Sequence, residues 1–406
     1  MKKITFPVYI ILSILICTFS ASAQWEQVLG VSGGNVSCLA DSGSNIFTGT
    51  YQRGVLVSND NGNSWAEINN GLGTDTFILS IAIRDSNIFT GTSGHGVFRS
   101  SNGGTSWTAA NNGLSGYGIV SLVINDTNIF AGTLVNGVFL SSDNGASWKE
   151  VNNGLKDSII SSLTISGSNI FAGTFGGGVF LSTDNGSSWT AVNNGITDSV
   201  IYCLTASGSN IFAGTLNGSV FLSSNNGSSW TAVDSGLPKT TGISLAASGS
   251  NIFAGTNERG VYLTTNNGST WTAVNSGLTV YPGCLITSLA VNDSYIYAGT
   301  QSNENGVWRR SLSEVLAVEN IRQSKSISIY PNPASKELRI SYDGNRERVE
   351  KAVIFNVLGE MIYTQQPETG NMNKETRIDV SALPSGIYFV EVIYENDKWL
   401  GKFVKE

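Results

Sequence analysis

The chain has 406 residues, 47 of them Gly, with 13% charged residues and a formal net charge of −7. So much glycine with so little charge describes many short strands joined by tight turns, and excludes a coiled coil or a charged disordered chain. An acidic surface repels phosphate backbones, which argues against nucleic acid as a partner. With one histidine, His95, no Cys/His grouping has metal-ligand spacing, so neither metal nor cofactor is expected.

The first 23 residues read as a secretory signal peptide. Lys2 and Lys3 precede an apolar stretch from Phe6 to Phe19, and Ala21-Ser22-Ala23 is a small-residue cleavage site. The stretch is shorter than the roughly 20 residues a spanning helix needs, so the mature chain is expected to carry no transmembrane segment. Ile16 is bulky where a lipidation site before Cys17 wants a small residue, which argues against a lipid anchor.

Six tryptophans then recur, Trp65, Trp107, Trp148, Trp189, Trp230 and Trp271, spaced by 42 residues once and by 41 four times. A fixed period means stacked supersecondary units. Ahead of each tryptophan lies a second block, first Asn45-Ile46-Phe47-Thr48-Gly49-Thr50, repeated from Asn87, Asn128, Asn169, Asn210 and Asn251. It returns a last time as Tyr295-Ile296-Tyr297-Ala298-Gly299-Thr300, which makes seven units. Each full unit holds four short apolar runs bounded by turn residues, the composition of a four-stranded propeller blade.

The seventh unit fixes the number. Ala317 stands where its tryptophan should be, ten residues beyond Val307, so its fourth strand is missing. Gln24-Trp25-Glu26-Gln27-Val28-Leu29-Gly30 has the form of the fourth strand that opens at Trp148. A first strand that completes the last blade closes the ring and removes exposed sheet edges. The expected fold is all-β, a seven-bladed propeller over 24–313 followed by a small β-sandwich.

Loss of the signal leaves three cysteines, an odd number. Cys38 and Cys203 stand where other blades have Ser80, Ser121, Ser162, Ser244 and Ser288, and read as small buried residues of an inner strand. Cys284 lies outside this register, and its pairing with Cys38 stays open.

The tryptophan-ended turn resembles the Asp-box, or BNR repeat, Ser-x-Asp-x-Gly-x-x-Trp. It stands as Ser58, Asp60, Gly62, Trp65 and recurs with Asp143 and Asp184. Asn102, Asn225 and Asn266 replace the acid in three copies. Either side chain accepts backbone N–H bonds and Gly takes positive φ, so these six positions are expected to be structural.

Strand alternation puts these turns on one face of the ring. The hairpins after each Gly-Thr and the connectors between blades lie on the other. There the repeats diverge, as a binding site built on a repeated frame requires. Tyr51, Arg53, His95, Phe175, Glu258 and Arg259 are the candidate ligand-binding residues, with Asp75, Tyr117, Asp157, Asp198, Lys239 and Tyr281 on the connectors. The expected ligand is an extracellular glycan or protein. Asp-box propellers include sialidases, but no Arg-Ile-Pro motif occurs here, and xyloglucanases of similar architecture hold their acidic pair between two propellers. A glycoside hydrolase is therefore the alternative, and no catalytic residue is assigned.

From Glu314 the period stops and charge density rises, which predicts a linker over 314–325 and a new domain over 326–406. Its marks are Ile329-Tyr330-Pro331-Asn332-Pro333, Val353 to Gly359, Leu383-Pro384-Ser385-Gly386 followed by Ile387 to Val390, and Lys402-Phe403-Val404-Lys405. In this order at the C-terminus they resemble the type A sorting domain of the type IX secretion system of Bacteroidetes. That resemblance implies the type IX machinery as a partner and a secreted or cell-surface location.

Overall fold

A computed structural model describes residues 24–28, 30–31, 34–74, 77–114, 118–278, 285–301, 306–316, 327–342, 349–357, 359–365, 375–394 and 398–406. The signal segment, Asp75, Tyr117, Tyr281 and Cys284 lie outside them. The chain divides into two compact units at Leu312 and Ser313.

The first unit is a ring of seven antiparallel four-stranded sheets. Blade 3 is typical, with strands Ile119–Asn125, Asn128–Thr133, Val138–Ser141 and Lys149–Glu150 in that order. The first strands of successive blades lie side by side in a closed cycle, Leu285–Val291 of blade 7 returning to Val36–Ser42 of blade 1. Hydroxyls on these strands join neighbours, as where Ser80 Oγ donates to Ile119 O at 2.9 Å and Thr287 Oγ1 to Val36 O at 2.7 Å. The apolar core lies between blades. Phe130, Val138 and Ile170 pack with Trp189 between blades 3 and 4, and Phe171, Val179 and Ile211 pack with Trp230 between blades 4 and 5.

Blade 7 takes its outer strand from the other end of the chain. Glu26–Val28 pairs antiparallel with Gly306–Ser311 in the register Glu26 with Arg309 and Val28 with Val307.

Each repeat tryptophan opens an outer strand, and all but Trp65 clasp the preceding blade twice. Trp148 Nε1 donates to Ala110 O at 2.8 Å and its backbone N–H to Asn112 O at 2.8 Å. Trp107, Trp189, Trp230 and Trp271 repeat both bonds, and Trp25 does so on Val274 O and Ser276 O of blade 6. The glycine beside the clasp is obligatory. Gly113 has φ 87°, and a Cβ there would sit 2.1 Å from the Trp148 carbonyl oxygen.

The seam between blades 7 and 1 is different. Gly30 follows Trp25 by five residues, whereas Gly154 follows Trp148 by six. In this shortened segment the Gly30 carbonyl accepts Arg53 Nη1 at 2.9 Å, and the buried Trp65 Nε1 has no acceptor. Polar bolts replace the clasp. Arg309 pairs with Glu26 at 2.6 Å, reaches Asn63 Oδ1 at 2.8 Å and lies 5.0 Å from the Tyr295 ring centre.

The tryptophan-ended turns close on themselves. Asp60 Oδ1 accepts Ser58 Oγ and the Ser64 amide, while Ser64 Oγ donates to Asp60 Oδ2 at 2.7 Å. Where Asn replaces Asp, one bond reverses: Asn102 Nδ2 donates to Ser106 Oγ at 3.0 Å, because a hydroxyl serves either way. The Ser64 hydroxyl, then its amide and then the Ser58 hydroxyl hold the Asp60 carboxyl down from 3.8 to about 2. Ser147 likewise holds Asp143 at about 2, and Ser188 lowers Asp184.

The second unit packs a three-stranded sheet, Ile327–Tyr330, Glu337–Tyr342 and Glu375–Asp379, against a four-stranded one. The latter runs Met361–Gln365, Val349–Phe355, Gly386–Tyr394 and Lys398–Lys405. Leu338, Ile340 and Ile378 of one sheet meet Ile354, Val390 and Phe403 of the other in the core. Two of the sequence motifs bond to each other: Asn332 Oδ1 accepts the Val404 amide at 2.9 Å, and the Ala334 amide donates to Val404 O at 2.8 Å.

The clasp and the turns each give a prediction. Trp148→Phe and Trp65→Phe remove the same ring volume, but only Trp148 loses a bond, so thermal unfolding should show Trp148→Phe costing about 1 kcal/mol more. Equal losses would mean that the indole bond does not hold blades together. A carboxyl held below its ordinary value stabilises the fold above about pH 4, and that contribution disappears as pH falls toward about 2. Asp60→Asn/Asp143→Asn/Asp184→Asn should therefore flatten the acid limb of melting temperature against pH, melting below the parent near neutrality and converging with it toward about pH 2. An unaltered acid limb would place the acid sensitivity elsewhere.

Candidate binding face

Each hairpin between the second and third strands is tied down through its backbone. Thr50 Oγ1 donates to Gly54 O at 3.0 Å and accepts the Arg53 amide at 2.9 Å. From the end of the outer strand, Asn69 Oδ1 accepts the Val55 amide at 2.8 Å while its Nδ2 donates to Arg53 O at 2.8 Å. Asn111, Asn152, Asn193 and Asn275 repeat this staple. With the backbone bonded internally, tip side chains vary without loss of the turn.

In blades 1 to 5 a second bracket joins the hairpin to the connector entering its blade. The first hairpin residue donates its amide to the last connector carbonyl: Tyr51 to Asn35, Ser93 to Phe77, Leu134 to Gly118, Phe175 to Ile159 and Leu216 to Val200, at 3.0 to 3.1 Å. Side chains from five consecutive blades are thereby set side by side around one rim. The Tyr51 and Phe77 rings of blades 1 and 2 meet at 5.6 Å, tilted by 48°. Burial raises the Tyr51 phenol, and the Tyr202 phenol of blade 5 and the Cys38 thiol reinforce the shift.

The result is an apolar crescent. Among the described residues of the propeller, the exposed large hydrophobic ones are Phe77, Leu134, Val135, Ile159, Phe175 and Tyr202, each 39–51% exposed. All six belong to the hairpins, the connectors or the adjoining first-strand ends of blades 2 to 5. Among the described residues of the propeller, the turn face presents none.

The six candidates take different places in this geometry. Phe175 lies within the crescent, and Tyr51 borders it against Phe77. His95, Glu258 and Arg259 are exposed on the hairpins of blades 2 and 6, with Glu258 at φ 62°. Arg53 serves the scaffold, paired with Glu67 at 2.8 Å and bonded to the Gly30 carbonyl. Asp157 and Asp198 also staple loops: Asp157 accepts the Ile159 and Gly177 amides, and Asp198 accepts the Val200 amide and Asn217 Nδ2. Lys239 pairs with Asp234. Phe77, Ile159 and Tyr202 were not legible as candidates from polar motifs. Their signal is apolar bulk where the repeat elsewhere has Asn35, Gly118 or Ser161.

The inner-strand cysteines offer no chemistry to this face. Cys38 and Cys203 are free thiols, each pushed up to about 12, chiefly by burial. Among the described residues no group of acidic, Cys and His side chains could hold a metal ion, and no helix is long and apolar enough to cross a membrane.

Comparison with known proteins agrees with this architecture. Residues 328–406 match the family described as secretion system C-terminal sorting domain, and residues 170–314 match the DUF6242 beta propeller domain. No curated protein sequence matches the chain. Among solved structures, YCF48 bound to D1 peptide aligns at 12% identity and TM-score 0.57, over 71% of this chain and 95% of that one. PorZ of Porphyromonas gingivalis, an essential bacterial surface component of the type IX secretion system, aligns at 16% identity and TM-score 0.55 over 91% of this chain and 59% of PorZ. The GH74 enzyme of Niastella koreensis aligns at 14% identity and TM-score 0.58 over 79% of this chain and 60% of the enzyme. These likenesses concern the fold alone. The chain is a secreted, cell-surface, all-β protein in which a β-propeller is carried by a type IX sorting domain.

Proposed function

We propose that the propeller captures an extracellular polypeptide on its hairpin face, and that the C-terminal domain exports it for that purpose. The observation that carries this reading is that, among the described residues of the propeller, the exposed large hydrophobic ones lie on one face. Isolated exposed hydrophobic residues need no explanation, whereas six set around one rim mark an interaction surface. Leu134, Val135 and Ile159 favour a polypeptide over a glycan, because aliphatic side chains lack the flat ring face and hydrogen-bonding groups that sugars use. A peptide occupant has a parallel in YCF48, which binds a D1 peptide on a propeller of similar fold.

In this reading His95, Glu258 and Arg259 flank the crescent and set specificity, and Tyr51 and Phe175 are apolar anchors. We take the tryptophan-ended turns as Asp-boxes with a structural role, residues 1–23 as a signal peptide, 24–313 as cargo and 314–325 as linker. A glycoside hydrolase finds less support, since Asp157 and Asp198 already accept loop hydrogen bonds.

Peptide display and a glycan array, both run on the full mature chain, test the proposal. Peptides should be selected and sugars should not. Leu134→Ser/Phe175→Ser should weaken capture of the selected peptides by about tenfold or more, as loss of interface anchors does, with little change in melting temperature. Asp143→Ala/Asp184→Ala on the other face should leave capture intact. Sugar binding without peptide binding would overturn the polypeptide reading, and capture that survives the Leu134 and Phe175 changes would overturn the face.

A further inference from the structure

In an Asn-Gly pair the asparagine side chain is open to attack by the next backbone nitrogen, because glycine has no Cβ to hinder the approach. The reaction needs that nitrogen, so an amide already bonded to an acceptor is withheld from it. In the tryptophan-ended turns the glycine is buried and its amide bonded. Gly145 donates to Ser141 Oγ at 2.8 Å, and Gly62, Gly186, Gly227 and Gly268 repeat the bond to Ser58, Ser182, Ser223 and Thr264. In the hairpins Gly137 donates to Ser158 O at 2.8 Å and Gly218 to Thr215 O at 3.1 Å, while Gly103 of blade 2 donates to Ser86 O at 3.1 Å.

The pairs beneath the clasps differ. Asn70-Gly71, Asn112-Gly113, Asn153-Gly154 and Asn194-Gly195 are the middle residues of β-turns, with the glycines at φ 86° to 98°. Leu72, Leu114, Leu155 and Ile196 close these turns by donating their amides to Asn69, Asn111, Asn152 and Asn193 at 2.8 to 3.0 Å. A turn bonded from its first to its last residue leaves the glycine amide outside that bond. Both residues of each pair are exposed, and among the described residues these glycine amides have no acceptor. Blades 5 and 6 carry Ser235-Gly236 and Ser276-Gly277 instead with the clasp intact, since the Trp271 and Trp25 amides donate to the serine carbonyls at 2.9 and 2.7 Å. The clasp therefore does not require the carboxamide.

We propose that Asn70, Asn112, Asn153 and Asn194 are sites of spontaneous deamidation, which opens the clasps joining blades 1 to 5 irreversibly as the protein ages. At blade 2 the Gly113 nitrogen gives up its proton and attacks Asn112 Cγ. The new C–N bond closes a cyclic succinimide, the bond from Cγ to Nδ2 breaks, and the nitrogen leaves with the proton as ammonia. Water then adds at either ring carbonyl and opens the ring to aspartate or isoaspartate. Isoaspartate carries the main chain through the former side chain, which inserts a methylene and turns the former Asn112 carbonyl into a carboxylate. That carbonyl is the acceptor of the Trp148 amide at 2.8 Å, so the clasp loses its register.

The test follows the full mature chain through prolonged incubation in warm, mildly alkaline buffer. Mass spectrometry reads isoaspartate at each Asn-Gly pair, and the melting temperature is followed beside it. Isoaspartate should gather at the clasp pairs and stay about tenfold lower in the turn pairs, whose glycine amide must first leave its hydroxyl. Ser141→Ala removes the acceptor of Gly145 and should raise isoaspartate at Asn144 about fivefold, with Asn185 unchanged as the internal control. Asn70→Ser/Asn112→Ser/Asn153→Ser/Asn194→Ser introduces the residue that blades 5 and 6 already carry, and should hold its melting temperature through an incubation in which the parent's falls. Equal isoaspartate in turn and clasp pairs, none at the clasp pairs, or no rise at Asn144 in the folded Ser141→Ala variant would overturn the sites. An equal decline in melting temperature for the parent and the serine variant would overturn the opening of the clasps.

Discussion

The fold depends on one contact, the clasp by which a tryptophan holds the blade before it. A single residue supplies two donors, indole and backbone, to carbonyls two residues apart in the neighbouring blade. It fills the gap between sheets with the largest available side chain. The partner strand must come close enough that the residue after its last asparagine has no room for a Cβ, which is why Gly113, Gly154 and Gly195 follow paired asparagines. Trp107 follows Trp65 by 42 residues and still makes both bonds, so the clasp fixes where the tryptophan meets the neighbouring blade and leaves loop length free to vary by a residue.

Closure of the ring departs from that rule in a physically consistent way. The N-terminal strand receives the clasp as donor through Trp25 but ends one residue short as acceptor, and Trp65 is left without its bond. Arg53 reaches the Gly30 carbonyl, and Arg309, paired with Glu26 within blade 7, reaches Asn63 of blade 1. Such exposed pairs are individually weak and sensitive to salt. The seam between blades 7 and 1 is packed by Val28, Val31, Val36 and Ile46 with Trp65, but that indole makes no hydrogen bond.

The architecture was legible because the determinants are periodic. Trp65 to Trp271, the Asn-Ile-Phe blocks and the missing fourth strand after Val307 all announce themselves by spacing. Cys38 and Cys203 sit on inner strands, where their alignment with serines places them, and burial raises both thiols. The division into a uniform turn face and a divergent hairpin face was legible, because both follow from strand alternation. Arg53, Asp157 and Asp198 look like ligand groups in a sequence, since charge on a divergent loop is conspicuous, but each satisfies a backbone or scaffold partner. Phe77, Ile159 and Tyr202 look like buried strand residues because they adjoin apolar runs, yet each lies at a strand's start and is exposed. Alternation within a strand is readable from sequence, whereas exposure at a strand's first residue depends on the loop folded beside it.

The hairpin face varies because its hydrogen bonds do not depend on its side chains. The Thr and Asn that staple each tip, Thr50 with Asn69 or Thr174 with Asn193, lie outside the variable residues and recognise only backbone groups. Blade 5 tests the logic. Asp234 replaces the asparagine there and cannot donate to the hairpin carbonyl, and the turn instead closes through Gly218 to Thr215 while Asp234 turns to Lys239. On the turn face the reverse holds, because the acid or amide at positions 60, 102, 143, 184, 225 and 266 is itself the staple. One face therefore keeps its residues because they hold the turn, and the other is free to change them, which is the condition for building recognition on a repeated frame.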